Sequence, residues 1–121
     1  MRVTMEAVFI ARPSFGQLLN AKGMKSGDAI KVARMAKQVI NEYGLLNDRR
    51  NKILNDLGEK QPNGTYSISE EHENWDVFQK EITDLLKLEI DIPLIEKITI
   101  PGDIEISPQA LLDLEPFIDV A

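Results

Sequence analysis

The sequence predicts a predominantly helical α+β fold: a long antiparallel helical hairpin, a preceding helix, a small C-terminal β-element and a short capping helix. Three observations point there. An apolar seam with alternating steps of four and three runs from Val32 to Leu57. Trp75, Phe78, Ile82 and Leu85 repeat that spacing further on. From Ile90 to Ile106 the period changes to two, in β-branched residues. Spacing of three and four belongs to a helix that buries one face, and alternation belongs to a half-buried strand. At 121 residues the chain is expected to form a single domain over 1–121.

Taken in order, Thr4 can cap a first helix over about residues 5–19, with Glu6 in its first turn. Pro13 is expected to kink or divide it. Phe9, Phe15, Leu18 and Leu19 are its expected buried side chains. "NAKGMKSGD" is a polar loop with two glycines. The second helix, capped by Ser26 or Asp28, is expected to run to Leu57 and stop at Gly58. Its seam is Val32, Ala36, Val39, Tyr43, Leu46, Arg50, Ile53 and Leu57. At ~1.5 Å per residue the rod is roughly 45 Å long, against a radius of gyration of only ~14 Å for a compact chain of this size. Such a rod asks for a partner: the third helix, another subunit, or both. Gly44 weakens it by about 1 kcal/mol, but the seam keeps phase across it, so one continuous helix is expected.

"PNG" at 62–64 is turn chemistry, and residues 65–68 suit a short strand. Ser69 is the expected cap of a third helix reaching about Leu88, with Glu70, Glu71 and Glu73 near its positive end. Ile90 and Ile92, Ile98 and Ile100, and Ile104 and Ile106 then mark strands, the last two pairs joined as a hairpin through Pro101-Gly102-Asp103. Ser107 followed by Pro108 is a strong helix start for a short closing helix ending near Pro116.

Charge is unevenly spread. Residues 22–60 carry a net +4 and residues 61–121 a net −11, within a total of −6. Such asymmetry has two readings. A basic helix pairs with an acidic one, within the fold or across a dimer, or a basic surface receives an anionic ligand. The overall negative charge argues against a nucleic-acid binder that works through bulk electrostatics. The N-terminal apolar run is broken by Glu6 and Arg12 and is too short for a signal peptide or a membrane span. Cysteine is absent. A soluble cytoplasmic protein without a membrane partner is the expectation.

The search for chemistry yields little catalysis. Without cysteine, and with His72 as the only histidine, neither a nucleophilic centre nor a transition-metal ligand set assembles, so no enzyme, metal or cofactor is expected. His72 reads as a solvated side chain between glutamates. Glu89 with Asp91, and Asp103 with Glu105, read as solvated strand faces. Arg50 is the anomaly, a cation at an apolar seam position. In one reading its stem covers apolar surface while its head pairs with an acid of the third helix. In the other it reaches a cleft with Arg49 or Lys52 and holds a phosphate or nucleotide through its planar fork. Lys52 has Asp48 and Asp56 at i±4 to satisfy it locally. The candidate ligand set is therefore Arg49, Arg50, Lys52 and Arg34, with Tyr43 available for stacking or hydrogen bonding.

The phrases "AIKVARMAKQVINEY", "RRNKIL", "ENWDVFQKEITDLL", "LEIDIP" and "IEISPQALLDLEPFI" follow in an order that resembles small uncharacterised bacteriophage-encoded helical proteins. The likeness covers nearly the whole chain and brings no catalytic residues with it. It implies a phage accessory protein acting in the host cytoplasm. Two roles fit: a counter-defence protein that sequesters an anionic nucleotide in a homo-oligomer, or an assembly or tail chaperone, or protein-binding inhibitor, that meets a host or phage protein through helical surfaces.

Overall fold

A computed structural model describes residues 1–93 and 97–121. Its elements are β1 (Arg2–Thr4), α1 (Met5–Asn20), α2 (Ser26–Leu57), β2 (Glu59–Lys60), β3 (Tyr66–Ser67), α3 (Trp75–Lys87), β4 (Glu89–Asp91), β5 (Ile98–Ile100), α4 (Pro108–Asp113) and β6 (Ile118–Val120). The fold is predominantly helical α+β, as the periodicities require.

The Thr4 hydroxyl caps α1 by accepting from the Ala7 N–H at 3.2 Å. The helix passes through Pro13 without dividing. Pro13 is exposed, so solvent can replace the donor that it lacks. The buried stripe of α1 is Met5, Val8, Ala11, Phe15 and Leu18. Phe9 and Leu19 stand one position to the side of that stripe and are exposed, against expectation.

The long helix is continuous across Gly44. Every position of the predicted seam is buried or half-buried, and Met35 joins it. Its N-cap is Lys25 rather than Ser26 or Asp28; Asp28 lies in the first turn, where its charge favours the helix dipole. A Cβ built on Gly44 meets nothing within 4 Å. Gly44→Ala is therefore expected to stabilise the protein by about 0.5–1 kcal/mol, read as a higher urea midpoint at unchanged slope.

Gly58 ends α2 in extended backbone, its N–H bonded to the Leu54 carbonyl at 2.7 Å. The chain then turns straight into β2, whose pairing with β3 (Glu59 with Ser67, Lys60 with Tyr66) was not apparent from the sequence. Gly64, at φ +87°, supplies the left-handed residue of the intervening turn. The third helix begins at Trp75, not after Ser69. Residues 69–74 are taken up in successive turns (His72 N–H to Ser69 O and Trp75 N–H to His72 O, both 3.0 Å). Asn74 donates its side-chain N–H to the Leu57 carbonyl at 3.0 Å, which pins the start of α3 to the end of α2. The two helices then run antiparallel, closed by Leu46, Ile53, Leu57, Phe78, Ile82 and Leu85.

The remaining strands pair over long distances. β1 lies antiparallel to β4, with Arg2 opposite Asp91 and Thr4 opposite Glu89. β5 lies parallel to β6, Ile98 opposite Ile118. The expected hairpin of residues 98–106 does not form; β5 pairs with β6 instead. Ile104 and Ile106 instead sit in tight turns and pack, half-buried, on the main core. Ser107 caps α4 as expected, accepting from the Ala110 N–H at 3.1 Å. α4 docks on α1 through the Ser14 hydroxyl, which donates to Asp113 Oδ2 at 3.0 Å. At the centre Phe15 and Phe117 meet edge to face, centroids 5.5 Å apart.

Candidate functional site

The groove between α1 and α2 carries a ladder of four side chains. Arg12 lays its guanidinium over the ring of Tyr43 at 5.6 Å. Tyr43 stacks on Phe9, with centroids 6.3 Å apart and planes 20° from parallel. Arg50 lies over Phe9 at 6.0 Å. Helix geometry explains the assembly. Phe9 and Arg12 are three apart on α1, and Tyr43 and Arg50 are seven apart on α2, so each pair shares a face. Cation–π contacts at exposed sites contribute ~0.5–1 kcal/mol each, and the stacked pair about as much again. Phe9 remains 42% exposed, so the ladder is open on one side.

Arg50 therefore does not pair with an acid of α3. One of its N–H groups donates to Asn47 Oδ1 at 2.9 Å, on its own helix, and its remaining donors meet no carboxylate among the described residues. Arg12 likewise forms no ion pair there. Beside Arg50 lies a small apolar pit of about 60 Å³, walled by Phe9, Leu46, Ile82, Leu85 and Leu86. The site thus combines a stacked aromatic pair with the side of Phe9 exposed, an apolar recess and two guanidinium groups without carboxylate partners among the described residues.

Of the five residues proposed from sequence, the structure brings Arg50 and Tyr43 together. Arg49 opens on a different hollow, of about 200 Å³, between α2 and α3, beside Asp56 and Glu81. Arg34 and Lys52 lie on the outer face of α2, eighteen residues and therefore ~27 Å apart, and both are exposed. The local pairing of Lys52 with Asp48 or Asp56 does not form. Phe9 and Arg12 were missed as site residues. Their signal was an aromatic–cation pair at helical spacing on α1, matched by a second such pair on α2.

Three other places hold polar groups or space that chemistry could use. His72 is not solvated: its Nδ1 accepts from the Asn74 N–H at 3.0 Å, and its Nε2 stands 3.4 Å from Glu59 Oε1. It is a structural clasp between β2 and the turn before α3. The acids of β4 are exposed as expected, and Arg2 bridges them, 3.3 Å from Glu89 and 3.9 Å from Asp91. A larger open hollow of about 430 Å³ lies between α1 and α4, but Asp113 at its wall is committed to Ser14 and Gln109. Among the described residues no three acidic, histidine or cysteine side chains gather as a metal site, and no helix is long and apolar enough to cross a membrane. Comparison with protein-family models, with curated proteins and with solved structures returns no match, so the geometry of the ladder carries the functional reading by itself.

Proposed function

We propose that this is a non-enzymatic binding protein that sequesters an anionic nucleotide at the α1–α2 ladder, as a phage counter-defence protein would, acting as an oligomer in the host cytoplasm. One observation carries the reading: two guanidinium groups without carboxylate partners among the described residues flank an aromatic pair of which Phe9 stays exposed to solvent. A nucleotide answers both features. Its base suits the exposed side of Phe9 and the apolar recess beside it, and its phosphate suits the planar fork of Arg50 or Arg12. The phage-like order of sequence phrases supports the biological setting.

The alternative, an assembly chaperone or protein-binding inhibitor, draws support from the apolar side chains exposed on the outer helix faces, Leu45 and Val77 among them. Thermal melting with a panel of nucleoside mono-, di- and triphosphates and cyclic dinucleotides separates the two. Saturation at about a hundred times Kd stabilises by ~2.7 kcal/mol, a shift of several degrees. The shift is expected to vanish in Arg50→Ala and in Arg12→Ala, and to survive in Arg49→Ala, which faces the other hollow. Unchanged melting across the whole panel rejects the nucleotide reading and leaves the protein-binding one.

A further inference from the structure

We infer that the outer face of α2 is a docking surface for α3 of a second copy of this chain. The sequence shows a basic middle and an acidic second half, and the fold leaves that imbalance unresolved. Among the described residues the ion pairs are those of Arg2, His72 and Lys97; none uses a cation of α2. Two of those cations, Arg34 and Lys37, lie on the face turned away from the core. Ile30, Arg34, Lys37, Asn41 and Leu45 are all exposed and follow one another in steps of four, three, four and four. They form a second stripe, roughly opposite the buried seam.

The exposed side of α3 and its cap carries the complement. Val77, Glu81, Asp84 and Leu88 are all exposed, in steps of four, three and four. Each stripe holds two like charges three residues apart, which repel one another along their own helix. The α3 charges are flanked by Val77 and Leu88, which are 50% and 54% exposed; Ile30 and Leu45 on α2 are 53% and 61% exposed. Laid antiparallel, Arg34 meets Asp84, Lys37 meets Glu81 and Ile30 meets Leu88, while Val77 falls toward Asn41 and Leu45. The rise per residue is common to both helices, so the match holds along the whole contact. Within one protomer α3 covers the far end of α2, near residues 46–57, and leaves this segment bare. The docking face of α2 lies opposite the seam that carries its own α3 and roughly sixteen residues away along the rod, so the contact is head-to-tail and repeats from copy to copy. Charge pairs at a solvated rim contribute little each and are screened by salt, so the association is weak and salt-sensitive.

Sedimentation equilibrium tests this with four samples. The natural chain is expected to average above its 13.7 kDa protomer mass in about 0.1 M salt, rising with concentration, and to fall back in about 1 M salt, where the Debye length drops from ~10 Å to ~3 Å. Arg34→Glu with Lys37→Glu, and separately Glu81→Lys with Asp84→Lys, are expected to hold the protomer mass. An equimolar mixture of the two variants restores opposite charges at every contact and regains the raised mass. All four positions are exposed, and an unchanged melting temperature of each variant verifies its fold. A natural chain that stays at the protomer mass, a reversed variant that still associates, or a mixture that does not reassociate each overturns the inference. None of these variants touches the ladder, so the nucleotide test stands or falls separately.

Discussion

Phe117→Ala is expected to lower the unfolding free energy by about 3–5 kcal/mol. The ring is fully buried, and it meets the equally enclosed Phe15 edge to face at 5.5 Å. Its backbone holds a junction as well: the N–H donates to the Leu114 carbonyl at 2.7 Å, and its carbonyl accepts from the Ile98 N–H at 3.1 Å. Alanine keeps those bonds, so the loss isolates the side chain. Removing it forfeits transfer energy and leaves a void that α1, α4 and β5, each anchored by its own hydrogen bonds, cannot readily close. Domains of this size are stable by only ~5–15 kcal/mol, so the midpoint should drop by ten degrees or more. Urea unfolding followed by circular dichroism measures it. Combining the change with Phe15→Ala should cost less than the sum of the two, because the second truncation removes a contact already lost. Strict additivity would mean that the two rings do not support one another.

Gly58→Ala is the second large effect, and its mechanism is the reverse: too many atoms rather than too few. A Cβ at this position would stand 2.6 Å from the Ser67 carbonyl oxygen and 2.8 Å from that of Leu54. Both obstacles are backbone. The Leu54 carbonyl is also the acceptor of Gly58's own N–H, so withdrawing it opens the last turn of α2. Moving Ser67 away instead pulls β3 from β2. Either response costs roughly 1–3 kcal/mol, in the range of other overpacked sites. Hydrogen exchange locates the damage: the Gln61 amide, bonded to the Thr65 carbonyl at 2.6 Å, should lose protection before the amides of mid-α2 do. A variant as stable as the natural chain would show that the hairpin yields at no cost.

What could be read from the sequence was what is encoded locally. The long helix was legible because its seam holds phase over eight positions, and packing an amphipathic face outweighs the ~1 kcal/mol penalty of one glycine. Thr4 and Ser107 were legible because a cap needs only its own first turn. Ser69 carries the same signal and failed, since Asn74 and His72 are drawn back to Leu57 and Glu59 and the turns between them displace the helix start. Alternation marked Ile98 and Ile100 as a strand, yet nothing in a period of two says which strand lies beside it. β6 won over the nearer Ile104 and Ile106. Part of the site was visible for the same reason: Arg50 stood out because it broke a pattern on its own helix. Phe9 and Arg12 broke none, and their meaning appears only when α1 is set against α2.

The two rings at the centre of the main core are separated by about a hundred residues of chain. At ribosomal speeds of ~5–20 residues per second, Phe15 waits roughly 5–20 seconds for Phe117 to be synthesised. β1 and α1 meet the same delay before β4 and α4 exist to cover them. During that interval Val8, Phe15 and Leu18 have only α2 to cover them, and nascent chains are at their most vulnerable to clumping or chaperone capture. The α2–α3 pair, complete some thirty residues sooner, is the natural place for order to begin.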